Sequence, residues 1–508
     1  MTEHFEPVFN AAGGCRTDFC IWLGGCLFRV LGQDAGVPCL RRHDLSPPGP
    51  VGGGARTPDP IVRRQSPRSL SDLGVRREGK RDRDQNLCKF EANSGLFNED
   101  LRKFWPISAF PQQNHPKSDR LLALHTIESA LFVVSLDDTA PAPHTADAIG
   151  HLMHGLPLPS TARNPGEAPG AGAVRTHLAT VPPTDSPLPV NRWWDKSLQI
   201  HVARNGHAGL TFEHSVVDAL PPLRLCQYVR QYDTEENQPL ASADRAAPAR
   251  FSELRFCVDA RLSDAVGRGS RALKETIQRL DLSALRIGQY GTRHLKSLDI
   301  SPDAFAQMGF QVAFRKVRGF VPSTHESVMT RAFLHGWTEV LRVENEATQR
   351  VVAAFNAMKQ QGEPVHRTRA EVAELLRRAC AEHAKSAARA RAGYGFHRHL
   401  LGLLSAARER GDALPEIFTD ASFQTFSTIT LSTTHPIPTP GVDGCGFGPV
   451  SERCIGVGYF LFEEEMTFGV SSWREEGRAP FDPALGDSVR FTQVLEETLR
   501  DTQFLLET

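Results

Sequence analysis

A single histidine closes an alternating run in TFEHSVVDAL, residues 211–220: His214, followed by the carboxylate of Asp218. An imidazole takes up and returns protons near neutral pH, so a histidine held there can act as a general base. A nearby carboxylate can fix the ring in one tautomer and stabilise its charged form. Glu213 is the other acid at hand, but its adjacent place on a strand turns it to the opposite face. The same residue types at a strand end also occur as purely structural groups, so this motif alone leaves both readings open. A second polar cluster stands in LSTTHP, where Ser432, Thr433 and Thr434 line up. A hydroxyl from such a cluster can donate to an oxyanion, and it can equally be an ordinary strand or turn residue.

The elements that must position His214 are legible around it. SLQIHVARNGHAGLTFEHS alternates on both sides of Asn205-Gly206, with Leu198, Ile200 and Val202 before the turn and Ala208, Leu210 and Phe212 after it. Asn-Gly between alternating runs predicts a hairpin with a tight type I′ turn. His214 then falls just past the second strand, where a rigid scaffold can present a reactive group. SPDAFAQMGFQVAFRKV predicts a helix: Ser301 is a good N-cap, Pro302 suits the first helical position and Asp303 the positive helix end. Phe305, Met308 and Val312 make its apolar stripe. CIGVGYFLF and MTFGVSSW read as a second hairpin, residues 369–407 as mostly helical, and DSVRFTQVLEETLRDTQFLLE as an amphipathic helix with Phe491, Val494, Leu495 and Leu499 inward. Hairpins mixed with long helices predict an α/β protein of the layered α+β kind.

The chain has 508 residues, too many for one ordinary core, with 58 basic and 59 acidic residues and a formal net charge of -1. That balance argues against a nucleic-acid partner. The most apolar stretch, CIWLGGCLFRVL (20–31), falls short of the roughly 20 residues that cross a bilayer. Of ten cysteines, those at 15, 20, 26, 39 and 88 lack the paired spacing of a zinc site, and the others are scattered, so no metal and a reducing compartment are expected. Residues 1–88, rich in Pro, Gly, Ser and Arg, read as disordered, and the Pro/Gly-rich stretch 156–190 as a long surface insertion.

Several stretches in order resemble the carnitine/choline acyltransferase family: IESALFVVSLDD (127–138), NRWWDKSLQIHVARNGHAGLTFEHSVVDAL (191–220), SPDAFAQMGFQVAF (301–314), HESVMTRAFLHGWTEVLR (325–342), FHRHLLGL (396–403) and LSTTHP with GFGPV (431–450). The resemblance covers residues 90–508 less the insertion. It implies two subdomains similar to chloramphenicol acetyltransferase with an active-site tunnel between them. The first, 89–255, would be shortened and would carry the catalytic histidine. The second, 256–508, would carry the coenzyme and carnitine motifs. The implied activity is reversible transfer of a medium- or long-chain acyl group between coenzyme A and the hydroxyl of L-carnitine. Coenzyme A enters as co-substrate, and no permanently bound cofactor is implied.

On that resemblance His214 matches the catalytic base and Asp218 its acid. Ser432 and Thr434 match the hydroxyls of the Ser-Thr-Ser motif, the last of which holds the oxyanion. Thr338, Arg398 and Ser327 match positions around the carnitine carboxylate, where His325 replaces a tyrosine. Choline acetyltransferases lack the arginine, so carnitine is favoured over choline. Lys296, Ser301 and Asp303, in KSLDISPD, match the coenzyme-binding segment. Cys445 or Gly446 stands where acetyl-specific members place a methionine, which leaves room for a longer chain. Departures from the pattern are Thr292 and Ala384 at coenzyme-contacting positions, Trp337 inside Gly336-Trp337-Thr338, and no counterpart of the folded sequence the family carries before IESALF. They raise the alternative of a binding protein without turnover. The resemblance further implies a monomer, peripheral membrane association and a mitochondrial location, although MTEHFEPVFN is not acid-poor like a transit peptide, nor is LLET a peroxisomal signal.

Overall fold

The computed structural model describes residues 19–23, 26–31, 119–137, 141, 146–155, 160–162, 173–178, 192–214, 217–234, 250–254, 260–359, 368–474 and 487–507. Fourteen strands among them form two sheets. In chain order they are β1 (Phe19–Leu23), β2 (Cys26–Leu31), β3 (Val133–Asp137), β4 (Ser160–Ala162), β5 (Ala173–Leu178), β6 (Leu198–Ala203), β7 (Ala208–Phe212), β8 (Arg250–Leu254), β9 (Leu280–Ile287), β10 (Thr324–Met329), β11 (Thr338–Leu341), β12 (Leu431–Thr434), β13 (Ile455–Leu461) and β14 (Met466–Trp473). The first sheet runs β7-β6-β3-β1-β2-β8 and the second β11-β10-β12-β13-β14-β9-β5-β4. Both are mixed: β3 is parallel to β1 and β6, and β12 is parallel to β10 and β13.

The longer helices are α1 (Asp119–Ser129), α2 (Ala146–His154), α3 (Leu220–Thr234), α4 (Ala260–Arg279), then a short α5 (Thr292–Ser297), α6 (Pro302–Arg318), α7 (Glu346–Lys359), α8 (Arg369–Arg389), α9 (His397–Arg410), two short turns α10 (Glu416–Thr419) and α11 (Ala421–Ser427), and α12 (Asp487–Glu507). Around α6 lies the main core. Phe305, Phe310 and Phe314 are fully buried with Tyr459, Phe468, Phe491 and Leu499. The expected single stripe is too narrow a description of this helix, because it is covered by sheet on one side and by α8 and α12 on others. Its two glutamines are buried and donate through their amide nitrogens: Gln307 to Thr433 Oγ1 (2.9 Å) and Tyr459 OH (3.0 Å), Gln311 to Thr324 Oγ1 (2.8 Å). A Cβ on Gly309 would meet Leu499 Cδ2 at 2.6 Å, so this glycine lets α6 and α12 approach closely.

Ser301 caps α6, accepting from Ala304 N. The 455–473 hairpin forms, with Leu461 opposite Met466. The hairpin before His214 also forms, but its turn is not type I′. Gly206 N donates to Ala203 O (2.9 Å), Ala203 N to His207 O (2.8 Å), and of the two central residues only Gly206 has positive φ (81°). That is a type I turn closed by a left-handed glycine, the usual three-residue loop.

Two organisational expectations are corrected. Residues 19–31, placed by composition within a disordered segment, supply β1 and β2 to the middle of the first sheet, antiparallel to each other and paired to β3 and β8. The rest of 1–88 lies outside the described residues. Nor is 156–190 only a surface insertion, since β4 and β5 fall within it and β5 pairs with β9 of the second sheet. A boundary at 255/256 therefore separates the strands of the two sheets except for this hairpin.

Candidate active site

Arg192 and Lys196 in NRWWDKS tie down the strand that leads to His214. Lys196 Nζ donates to the carbonyls of Ile127 (2.8 Å) and Glu128 (2.9 Å), a cation at the C-terminal end of α1. Arg192 pairs with Asp137 at the end of β3 (3.0 Å), where His151 also meets the same carboxylate (3.0 Å). These buried attachments fix β6 against β3, and β7 is hydrogen-bonded to β6 in turn.

His214 follows β7 and is exposed. Its Nδ1 lies 2.7 Å from the Val217 carbonyl, an acceptor, so that nitrogen carries the proton. Nε2 has no hydrogen-bond partner among the described residues and keeps its lone pair. Aromatic rings flank the imidazole edge-to-face: Phe212 and Trp337, each 6.0 Å between centroids. The ring's orienting acceptor is thus the Val217 carbonyl, a correction to the expected Asp218 carboxylate. Asp218 instead pairs with Arg331 Nη2 (2.5 Å) and accepts from Leu220 N (3.1 Å) at the start of α3. The reason is local. The Val217 carbonyl reaches the ring, while Asp218 serves the start of α3.

Thr338 and Arg398 are hydrogen-bonded to each other. Arg398 Nη2 donates to Thr338 Oγ1 at 3.0 Å and Nε to Thr338 O at 3.2 Å, while its backbone N–H donates to Glu339 Oε1 at 3.2 Å. His325 is opposite Ser432 in the parallel pairing of β10 and β12, so both side chains lie on one sheet face with exposed Ser327 and half-buried Thr434. Burial, then the charges of Arg398 and Arg342, hold His325 down to about 3, so it is neutral at physiological pH. Among the described residues no hydrogen bond joins Ser432 or Thr434 to His214.

Three residues of this region were not singled out from sequence: Arg342, Glu339 and His397. Arg342 stacks over Phe426 (4.4 Å) and donates to Ser323 Oγ (3.0 Å) and Thr324 O (2.9 Å), while its buried Nε and Nη2 have no partner among the described residues. His397 is depressed to about 4 by burial and then by Arg342 and Arg398. The signal was present, since Arg342 closes the quoted HESVMTRAFLHGWTEVLR, but a lone arginine after a strand reads as solvated until its neighbours are known.

The coenzyme positions separate. Lys296 is exposed on α5. Ser301 is occupied as the cap of α6. Asp303 faces an internal network: Tyr459 OH donates to it (2.7 Å) and His435 Nδ1 is 3.6 Å away. Burial pushes the Asp303 carboxyl up, but the hydrogen bonds of His435 and Tyr459 and the charge of His383 outweigh it and hold it low. Beside it, buried Glu326 and His383 are 2.7 Å apart. Burial raises the Glu326 carboxyl, whereas the Glu326 charge overcomes burial to raise His383. The donor atoms of Asp303, Glu326 and His383 lie within 4.8 Å of one another and could surround a metal, but Tyr459 and the Glu326–His383 pair already use them.

Cys445 lies across a row of glycines. A Cβ on Gly458 would be 3.1 Å from Cys445 Sγ and one on Gly469 2.5 Å from Cys445 O, while Phe447 covers Gly456. Ser471 and Thr467 of β14 hold this segment through the carbonyls of Phe447 (2.7 Å) and Asp443 (3.0 Å). Burial pushes the Cys445 thiol up to about 12. Gly446 is exposed and turned toward Ile149, which a Cβ would meet at 3.4 Å.

An exposed, tautomer-fixed imidazole and a separate guanidinium–hydroxyl clamp on a mixed α/β scaffold suit proton transfer on an anionic substrate. A family profile described as Choline/Carnitine o-acyltransferase matches residues 92–497, and the chain belongs to that family. Among similar curated proteins is the mitochondrial carnitine O-palmitoyltransferase 2 of Macaca fascicularis, 33% identical over 327 residues, 62% of this chain and 46% of that one. The Xenopus tropicalis protein of the same name is 28% identical over 384 residues, 75% and 52%. Human carnitine O-acetyltransferase is 29% identical over 391 residues, 76% and 55%. The chain spans about half the length of the curated relatives it matches. A wax ester synthase/diacylglycerol acyltransferase from Marinobacter aquaeolei VT8 overlaps 61% of this chain and 72% of its own at 10% identity, with a TM-score of 0.32. No described helix is long and apolar enough to cross a membrane.

Proposed function

We propose that this chain is a carnitine O-acyltransferase that exchanges a medium- or long-chain acyl group between coenzyme A and L-carnitine. Family membership supports the class, and the names of the relatives support carnitine as acceptor and a mitochondrial setting. The observation that carries the reading is the state of His214: Nδ1–H is committed to the Val217 carbonyl, and the ring is exposed, with no hydrogen bond at Nε2 among the described residues.

With an acyl-CoA and carnitine at this nitrogen, Nε2 takes the proton from the carnitine hydroxyl as its oxygen attacks the thioester carbonyl. The tetrahedral intermediate collapses, the C–S bond breaks, and the imidazolium returns its proton to the departing thiolate. The reverse direction uses the same nitrogen, so no acyl-enzyme is needed. Thr434, with Ser432 beside His325, is the hydroxyl assigned to the oxyanion. The Thr338–Arg398 clamp takes the carboxylate, with Arg342 adding unpartnered N–H groups nearby, Ser327 on the adjoining face and His325 neutral. Lys296 takes coenzyme phosphate. Asp218 acts indirectly, holding the turn.

The test is acyl exchange by the purified chain with acetyl-, octanoyl- and palmitoyl-CoA and L-carnitine, following free thiol, with His214→Ala in parallel. Thiol release that requires both carnitine and His214 establishes the reading and the chain length. Folded protein with no carnitine-dependent release overturns it in favour of a binding protein.

A further inference from the structure

Both chain neighbours of Thr434, the hydroxyl assigned to the oxyanion, are tied down by a buried polar network. Thr433 alternates to the opposite face of β12, where it meets Gln307 of α6. Tyr459 of β13 is buried at the centre of this network. Its hydroxyl donates to Asp303 Oδ1 (2.7 Å) and accepts from Gln307 Nε2 (3.0 Å). The same amide nitrogen donates to Thr433 Oγ1 (2.9 Å). On the other side of Thr434, the His435 ring stacks on Tyr459, 4.9 Å between centroids and 15° between planes, with Nδ1 3.6 Å from Asp303 Oδ1. Burial, and then the Asp303 charge, push the Tyr459 phenol up, so it keeps its proton near neutral pH. One phenol thus reaches the residue before Thr434 through Gln307 and the residue after it by direct stacking.

We infer that Tyr459 is a positioning residue for acyl transfer: its hydroxyl, through Gln307 and Asp303, fixes Thr433 and His435 and so aims the Thr434 hydroxyl. The inference rests on the proposed transferase reading, in which Thr434 is the oxyanion donor. Such a donor stabilises the transition state only if it is already aimed when charge develops. Thr434 is the last residue of β12. The strand ladder and Gln307 restrain the chain ahead of it, and the contacts of His435 with Tyr459 and Asp303 restrain the chain behind it. Tyr459 lies beneath the sheet and acts through these groups, so losing its hydroxyl slows the step without removing a substrate contact.

The experiment uses the full chain, Tyr459→Phe, Thr434→Val and the two combined. It measures steady-state exchange with each substrate varied in turn, using whichever of acetyl-, octanoyl- and palmitoyl-CoA the wild type turns over fastest, below the unfolding temperature of every variant. Tyr459→Phe keeps the ring and its stacking and removes the hydroxyl. The expected result is a kcat about tenfold lower, as for a small displacement of a catalytic group, with both KM values within about twofold of wild type. Thr434→Val lowers kcat about 10²-fold, the usual loss of an oxyanion donor. In that background Tyr459→Phe costs less than about twofold more, because the hydroxyl it aimed is gone. Additive losses in the combined variant, a kcat unchanged by Tyr459→Phe, or a loss confined to KM overturns the inference and leaves the transferase reading standing. Folded wild-type chain without exchange overturns both. Should Tyr459→Phe fail to fold, Thr433→Val, which keeps the shape of that residue and removes its bond to Gln307, carries the same cycle with the same expected outcome.

Discussion

Thr338 grips the Arg398 guanidinium with two atoms: its carbonyl oxygen accepts from Nε at 3.2 Å and its hydroxyl from Nη2 at 3.0 Å. The fork is therefore set in one orientation before any anion arrives, and Arg398 is exposed enough to meet one. Preorganisation of this kind lowers the ordering cost of binding.

Arg398→Ala should raise the KM for carnitine about 10- to 100-fold, the range for losing a charge-assisted hydrogen bond, with little change in the KM for acyl-CoA. Steady-state kinetics with each substrate varied in turn checks this, and equal effects on both would count against the clamp.

His214→Ala should lower the exchange rate about 10²- to 10⁴-fold, the usual contribution of a general base. The side chain is exposed, so thermal unfolding should barely move. Exchange persisting near the wild-type rate would refute the mechanism.

Asp218→Asn separates two roles for the acid. Asn keeps the start of α3 capped, and the imidazole is held by Val217 O rather than by the carboxylate. The variant should stay within about tenfold of wild type, whereas an acid that orients the base directly would cost about 10⁴-fold. A loss on that larger scale would restore Asp218 to the imidazole.

Cys445→Met should shorten the preferred acyl chain. It should also cost about 1–3 kcal/mol of stability, because the larger side chain must fit over Gly458 and Gly469. An unchanged profile across acetyl-, octanoyl- and palmitoyl-CoA would sink the pocket assignment.

His325 is held at about 3 and His154 also at about 3, in each case by burial first and then by neighbouring cations. A depressed histidine binds its proton more readily unfolded than folded. Its stabilising contribution is thus fully present above about pH 6.5 and is lost as pH falls from there toward 3. Chemical unfolding at pH 7 and pH 5 should show this loss, and His325→Gln should make it smaller. An identical acid dependence in the variant would count against a buried neutral imidazole.

What could be read from sequence was what local chemistry decides. Ser301 caps α6 because a side chain three residues from an amide needs no partner elsewhere, and Asn205-Gly206 turns because glycine tolerates positive φ. The turn type was missed because it depends on where Ala203 and His207 pair, one residue wider than the dipeptide suggests. His214 was visible as a strand-end histidine, but its acceptor was not: a backbone carbonyl carries no residue-type signal, so the nearby acid drew attention instead. CIWLGGCLFRVL was too short and too isolated among Pro and Gly to be read as a sheet centre, since its partners, β3 and β8, are distant in sequence. Arg342, His397 and Glu339 became part of the site only when the fold set them beside Arg398.

The hairpin of β4 and β5 interlaces the halves of the chain. β5 lies against β9 across more than a hundred residues of intervening sequence, with Thr176 opposite Ala284. Loop closure over that span makes the second sheet a late, non-local assembly. A fragment starting near residue 256 would retain most of the buried core around α6, yet β9 would be left as an uncovered edge. Its backbone amides and carbonyls would then be open to pairing with another chain. Added back as a peptide covering 156–190, the missing strands would act as a molecular cap on that edge, a complementation between two pieces of one polypeptide.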